Sequence, residues 1–215
     1  MDRIEQLMDR ITVNAHSSVR VETAGRVLYV DPFALSAAPG DADLIFLTHD
    51  HFDHFSPEDV EKVMKPETVF VMPHSTAKAA AALIRGHECL CVRPGDAGEV
   101  LNLPFEAVAA YNPGKPFHPR KNDWVGYVLD LDGLRLYVAG DTDATPEAAA
   151  VRCDVAMLPI GGKYTMDAAE AAALAARIRP QAVIPIHYGS VAGSPEDYDR
   201  FRAALSPQIR IRRAF

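Results

Sequence analysis

Thr48 to His54, THDHFDH, sets three histidines and two aspartates within seven residues. Before it runs Asp43 to Leu47, DLIFL, whose nearly continuous apolar pattern predicts a strand covered on both faces. After it stands Ser56-Pro57-Glu58-Asp59, a capping serine, a proline at the first helical position and two acids in the first turn. That order predicts a helix running to about Lys65. The cluster is thus expected in a strand-to-helix loop. Neutral imidazole and carboxylate are ligands for zinc and other first-row divalent metals. Alternation at a strand end puts His49 and His51 on one side, within reach of one metal. Asp53 and His54 lie where the chain bends into the helix, diverge from that pair and suit a neighbouring second metal. Burying so many polar groups unpaired would be costly.

A chain of 215 residues, 48% hydrophobic and 24% charged, is long enough for one substantial core, which favours a single domain over residues 1–215. The net charge of −7, with Lys and Arg scattered apart from short clusters such as Arg120-Lys121, argues against a nucleic-acid partner. The start of the chain, MDRIEQLMDRITVNAH, has no apolar run of the signal-peptide kind. No segment approaches the ~20 apolar residues of a membrane span, so a cytoplasmic location is expected. Cys89, Cys91 and Cys153 are odd in number and lack CxxC spacing, which predicts reduced thiols buried in strands.

Outward from the cluster, strands alternate with helices. VRVET and VLYV read as a hairpin through Ala24-Gly25-Arg26, and WVGYVLDL and LRLYV as another through Asp132-Gly133. ETVFVM, ECLCV, FEAVAAY, DVAMLPI, AVIPIHY and IRIRR supply further strands. STAKAAAALIRG, Pro146 to Val151, MDAAEAAALAARI and Pro195 to about Leu205 supply helices. The second half repeats the style of the first in a different order. An α/β architecture follows, with two mixed sheets packed face to face and helices outside, since buried strands need helical cover.

Two more strands end on metal-binding residue types. LYVAGDTD delivers Asp141 and AVIPIHYG delivers His187, and loops at strand ends are where α/β folds gather functional groups. Either residue alone reads equally well as a turn or core residue. Together with the cluster they form a His/Asp set spread over several strand ends, as a dinuclear centre requires.

On these motifs the chain resembles the metallo-β-lactamase superfamily. Thr48 to His54 is similar to its HxHxDH signature, Gly140-Asp141 to its bridging-aspartate motif, and IHYG to its final histidine motif. AHSSVRVETAGRVLYVDPF, AYNPGKPFHP and LPIGGKYTMDAAEAA further resemble a small cytoplasmic branch that includes ascorbate-6-phosphate lactonase-like and N-acyl-phosphatidylethanolamine phospholipase D-like proteins. The resemblance implies a four-layer αββα sandwich. It also implies two divalent ions, zinc foremost, with manganese, iron or nickel accepted by the same donors.

The family's GHxxG histidine motif is missing here. His74, His87 and His118 lie between the cluster and Asp141, and only His118 stands in the matching region. The resemblance then implies one metal on His49, His51 and His118, a second on Asp53, His54 and His187, and Asp141 bridging them. A shared hydroxide would attack the substrate, with Asp53 as the catalytic residue that orients it or shuttles its proton. The implied activity is hydrolysis of a small ester, lactone or phosphoester. The alternatives are an iron redox protein of the same fold and a non-catalytic binder of an anionic metabolite. A homo-oligomer is compatible with the branch, and no sequence feature sets a number.

Around these ligands several residues carry two readings each. His16 either contacts the pocket or makes a structural hydrogen bond, and Asp31 either accepts from a ligand imidazole or only ends a strand. Lys163 and Tyr164 either overhang the metals and bind substrate or belong to a loop leading to a helix cap at Thr165. Arg120 with Lys121 is either an anion clamp or a solvated pair. Phe117 and Trp124 either line an apolar wall or pack in the core.

Overall fold

Each half of the chain builds one sheet. In the computed structural model, which describes residues 2–23 and 25–214, the first sheet holds β1 (Ile11–Ala15), β2 (Ser18–Thr23), β3 (Arg26–Val30), β4 (Ala42–Phe46), β5 (Met64–Pro73) and β6 (Cys89–Val92), in that spatial order. The second holds β7 (Ala97–Val100), β8 (Leu103–Ala109), β9 (Val125–Leu131), β10 (Leu134–Val138), β11 (Val155–Pro159), β12 (Ala182–Ile186) and β13 (Arg210–Ile211), also in sequence order. Both sheets start with antiparallel hairpins and end with parallel strands. The halves therefore share one order, not the two different ones that the sequence pattern suggested.

The hairpin between β9 and β10 turns at Asp132 and Gly133, whose φ values of 57° and 77° are the two left-handed residues of a tight turn matched to strand twist. The other expected hairpin pairs Thr23 with Arg26, while Ala24 lies outside the described residues. Strands β11 and β12 are buried along their whole length, as their unbroken apolar runs require.

Side-chain burial sorts into three apolar clusters. The central one lies between the sheets and joins Val19, Val21, Leu44 and Phe46 of the first to Tyr127, Leu136, Val155 and Ile184 of the second. Outside the first sheet, Ile45, Leu47 and Phe70 meet Val60 and Val63 of α2 (Pro57–Val63) and Ala80 of α3 (His74–Ala80). Outside the second, Tyr137 and Leu158 meet α4 (Pro146–Ala150), α5 (Ala168–Ile178) and α6 (Asp197–Ala204). Three apolar interlayers define four layers, αββα. No helix among the described residues is long and apolar enough to cross a membrane.

Local departures from expectation have local causes. The N-terminal helix, α1 (Arg3–Asp9), went unassigned in the sequence, yet Asp2 and Glu5 form a capping box and Ile4, Leu7 and Met8 join the central cluster. Strand β7 was also unassigned, because AGEV is a mostly exposed edge strand without an apolar run. Helix α2 stops at Val63, since Met64 turns extended to enter β5. The cap of α5 is Asp167 and not Thr165: the Asp167 carboxylate accepts from Glu170 N, and Glu170 returns the bond. Cys89, Cys91 and Cys153 are free and half-buried, and Cys153 precedes β11 instead of lying in a strand.

Candidate metal centre

Residues 47–54 leave β4 and reverse on themselves, with His54 N and Phe55 N both donating to His51 O. This turn lays the His54 ring over His49, with centroids 4.0 Å apart. Thr48 anchors the segment to the opposite sheet, because Val125 N donates to its carbonyl. Gly140, at φ +63°, lets the chain beyond β10 pass Thr48; a Cβ there would stand 3.2 Å from Thr48 Cβ. That close passage delivers Asp141 to the loop.

Six of the eight histidines of the chain meet at this end of the sandwich. His49, His51 and His118 offer ligand atoms that all lie within 4.8 Å of one another, and so do His16, Asp53, His54 and His187. Asp141 reaches both groups. Its Oδ1 is 3.2 Å from His54 Nε2, and its Oδ2 is 3.0 Å from His187 Nε2 and 3.4 Å from His118 Nε2. Despite these distances, His49 Nε2, His54 Nε2, His187 Nε2 and Asp141 Oδ1 are buried without a hydrogen-bond partner among the described residues. Imidazole nitrogens and a carboxylate that crowd together with poorly directed contacts aim at shared space between them. Burial of such atoms is costly unless a cation takes the place of the missing partners. The donor set, imidazole and carboxylate, fits a first-row divalent ion.

Titration follows the same geometry. Burial, helped by neighbouring imidazoles, holds His49 well below the ordinary histidine range and His118 at about 4, so both stay neutral as ligands must. Burial also works against charge on Asp53 and Asp141, but facing imidazoles outweigh it. Asp53, beside His16 and His54, is held at about 2, and Asp141, beside His187 and His54, well below the carboxylate range. His54 is raised despite burial, because Asp141 and Asp31 flank it.

Asp31 stands behind the cluster and accepts three bonds, from His54 Nδ1 at 2.7 Å, Thr48 N at 2.7 Å and Thr48 Oγ1 at 2.6 Å. Of its two readings, the imidazole partner is the one the geometry realises. It holds a proton on Nδ1, so that Nε2, which faces Asp141, is the atom available to a metal in place of a proton. His16 sits in the turn between β1 and β2. Its Nε2 is 3.2 Å from Asp53 Oδ2, its ring centroid 3.9 Å from that of His187, and its carbonyl accepts from His187 N.

The remaining candidates divide. Tyr164 and Phe117 line a cavity of about 250 Å³ with His51, Phe52, Asp53, His118, Asp141, His187 and Val191. Lys163 does not line it; its Nζ lies 4.9 Å from the Tyr164 ring centroid. Arg120 faces a separate cleft of about 610 Å³, bonded to Glu147 and stacked on Tyr111. That larger cleft contains none of the candidate ligands. Trp124 forms the boundary, buried with its ring centroid 4.8–5.0 Å from those of His49, His51 and His118. His87 bonds to Thr68 O, and His74 opens α3; neither joins the cluster.

A two-sheet αββα sandwich with a His/Asp cluster at its strand ends is the metallo-β-lactamase class of fold, and residues 10–187 match the beta-lactamase superfamily domain family. The chain belongs to that family, and within it to the UPF0173 metal-dependent hydrolases. One such relative, from Methanosphaerula palustris, is 32% identical over 206 residues, covering 91% of each chain. Among solved structures, a protein of Parabacteroides distasonis described as a metal-dependent hydrolase is 30% identical, with a TM-score of 0.80 over 94% of this chain and 91% of its own. Igni18, a metallo hydrolase of Ignicoccus hospitalis, shares the fold at 24% identity, with a TM-score of 0.74 over 94% of this chain and 93% of its own.

Proposed function

We propose that the chain hydrolyses a small ester, lactone or phosphoester with two divalent ions, zinc foremost. One would be held by His49, His51 and His118, the other by Asp53, His54 and His187, with Asp141 shared. The observation that carries this reading is the single buried carboxylate of Asp141 standing within 3.4 Å of imidazoles from both groups. A divalent ion held there would supply a water nucleophile at neutral pH and polarise the oxygen under attack. Asp53 is the residue that accepts a hydrogen bond from the attacking water. Facing imidazoles already hold its carboxyl below the ordinary range, which makes it a weak base, so its contribution would be orientation more than proton abstraction. Asp31 keeps the His54 tautomer, and Trp124 walls off the three histidines beside it. The cavity, at about 250 Å³, matches a small-molecule substrate.

The test is turnover of a panel of lactones, carboxylic esters and phosphodiesters by protein stripped with chelator and then reloaded with zinc or manganese. Activity lost on stripping and regained on reloading is expected. Iron retained through purification, with no hydrolysis of any panel member, would replace this reading with redox chemistry.

A further inference from the structure

Among the described residues five large hydrophobic side chains are exposed, and three of them, Phe52 at 69%, Phe117 at 52% and Val191 at 39%, line the cavity over the His/Asp cluster. Aromatic partners hold this rim in place. Phe117 meets Tyr164 edge-on at 5.3 Å and Phe52 meets Phe33 edge-on at 6.2 Å. Exposed apolar groups gathered in one place mark a surface that covers something apolar. The same cavity has no Lys or Arg in its lining. Arg120 is turned into the other cleft, Lys163 lies by the Tyr164 ring, and Lys115 is held by Asp143 Oδ1 and Thr165 O. Phosphoryl groups are ordinarily clamped by guanidinium, ammonium or helix N-termini. Here no side-chain cation lines the cavity, and its two carboxylates, Asp53 and Asp141, are the proposed metal ligands.

We infer that the substrate is an uncharged carboxylic ester or lactone with a short alkyl or aryl group seated between Phe52, Phe117 and Val191, and not a phosphate monoester. This rests on the hydrolase reading above and narrows it. Water adds to the acyl carbon and the acyl C–O bond breaks; one proton of the water passes to the departing alkoxide and the other is released to solvent, giving a carboxylate and an alcohol with no oxidant needed.

Two series test it on the metal-loaded protein. p-Nitrophenyl acetate, butyrate and hexanoate, beside p-nitrophenyl phosphate, give kcat/KM. The homologous 2-alkanones, neutral and not hydrolysable, give Kd by ligand-observed NMR, with metal present and after stripping. The expected result is a gain of roughly two- to fourfold per methylene in both series, since a buried methylene is worth about that factor. Phe117→Ala and Phe52→Ala should each cut the hexanoate-to-acetate ratio at least about threefold. A flat or falling series, an unchanged ratio in both variants, or preference for the phosphate overturns the inference while leaving hydrolysis in place. Ketone affinity that climbs with chain length, with no ester or phosphodiester turned over, overturns the hydrolase reading and upholds the apolar subsite.

Discussion

Asp31→Asn removes one charge and almost no volume from a fully buried position, so its effect isolates what the carboxylate does for His54. The Asn carbonyl can still accept from Thr48 N, now 2.7 Å from Asp31 Oδ1. Its amide NH2 would then face His54 Nδ1, also at 2.7 Å, donor against donor. The conflict is relieved when the imidazole moves its proton to Nε2, the atom that faces Asp141, and a protonated nitrogen cannot ligate. Loss of such a supporting carboxylate typically costs 10- to 100-fold in metal affinity, or about 1.4–2.7 kcal/mol. The assay is chelator-competition titration of zinc into stripped protein, with a urea melt of the same sample. Weakening should fall on the metal proposed for Asp53, His54 and His187, while the His49–His51–His118 group keeps its affinity. Zinc affinities within about twofold of the unaltered protein at both groups would refute the reasoning.

His118→Ala should remove one class of zinc and leave the other, read by the same titration; equal loss of both would show the groups to be one site. Trp124 is the only tryptophan of the chain and borders the first group, so zinc titration should change its fluorescence, and His118→Ala should blunt that change. In stripped protein, burial lowers the His118 pKa to about 4, so its NMR signals should titrate near pH 4 and not near 6.5. The unfolded chain takes up that proton first, so the contribution of His118 to stability is full above pH 6.5 and declines as pH falls toward about 4. Gly161→Ala would place a Cβ 2.2 Å from His187 O. The urea melt should show about 1–3 kcal/mol of destabilisation, and activity should fall with it.

The residues that could be read in sequence were those whose surroundings are local. THDHFDH announces itself because it follows a buried strand and precedes a capped helix, and Asp141 and His187 because apolar strands run directly into them. Asp31 and His16 depend on distant partners. Asp31 looks like an ordinary Asp-Pro stop until β3 and β4 pair and bring Thr48 and His54 against it. His16 lies 171 residues before His187, and only the closing of the sandwich brings the two rings together. The cap at Asp167 and the first helix did carry a local signal, the D-x-x-E pattern of DAAE and DRIE. For Arg120 and Lys163 the sequence shows charge near the loops but not direction, and direction is what separates the two clefts.

Metal content per chain, measured by elemental analysis on protein purified without a metal-affinity tag, tests the proposed two-metal centre most directly when Asp141→Ala is run beside it. About two zinc or manganese ions per chain, falling below one when Asp141 is lost, is the predicted result. Equal metal in both proteins, or none in either after growth with added zinc and manganese, would contradict it.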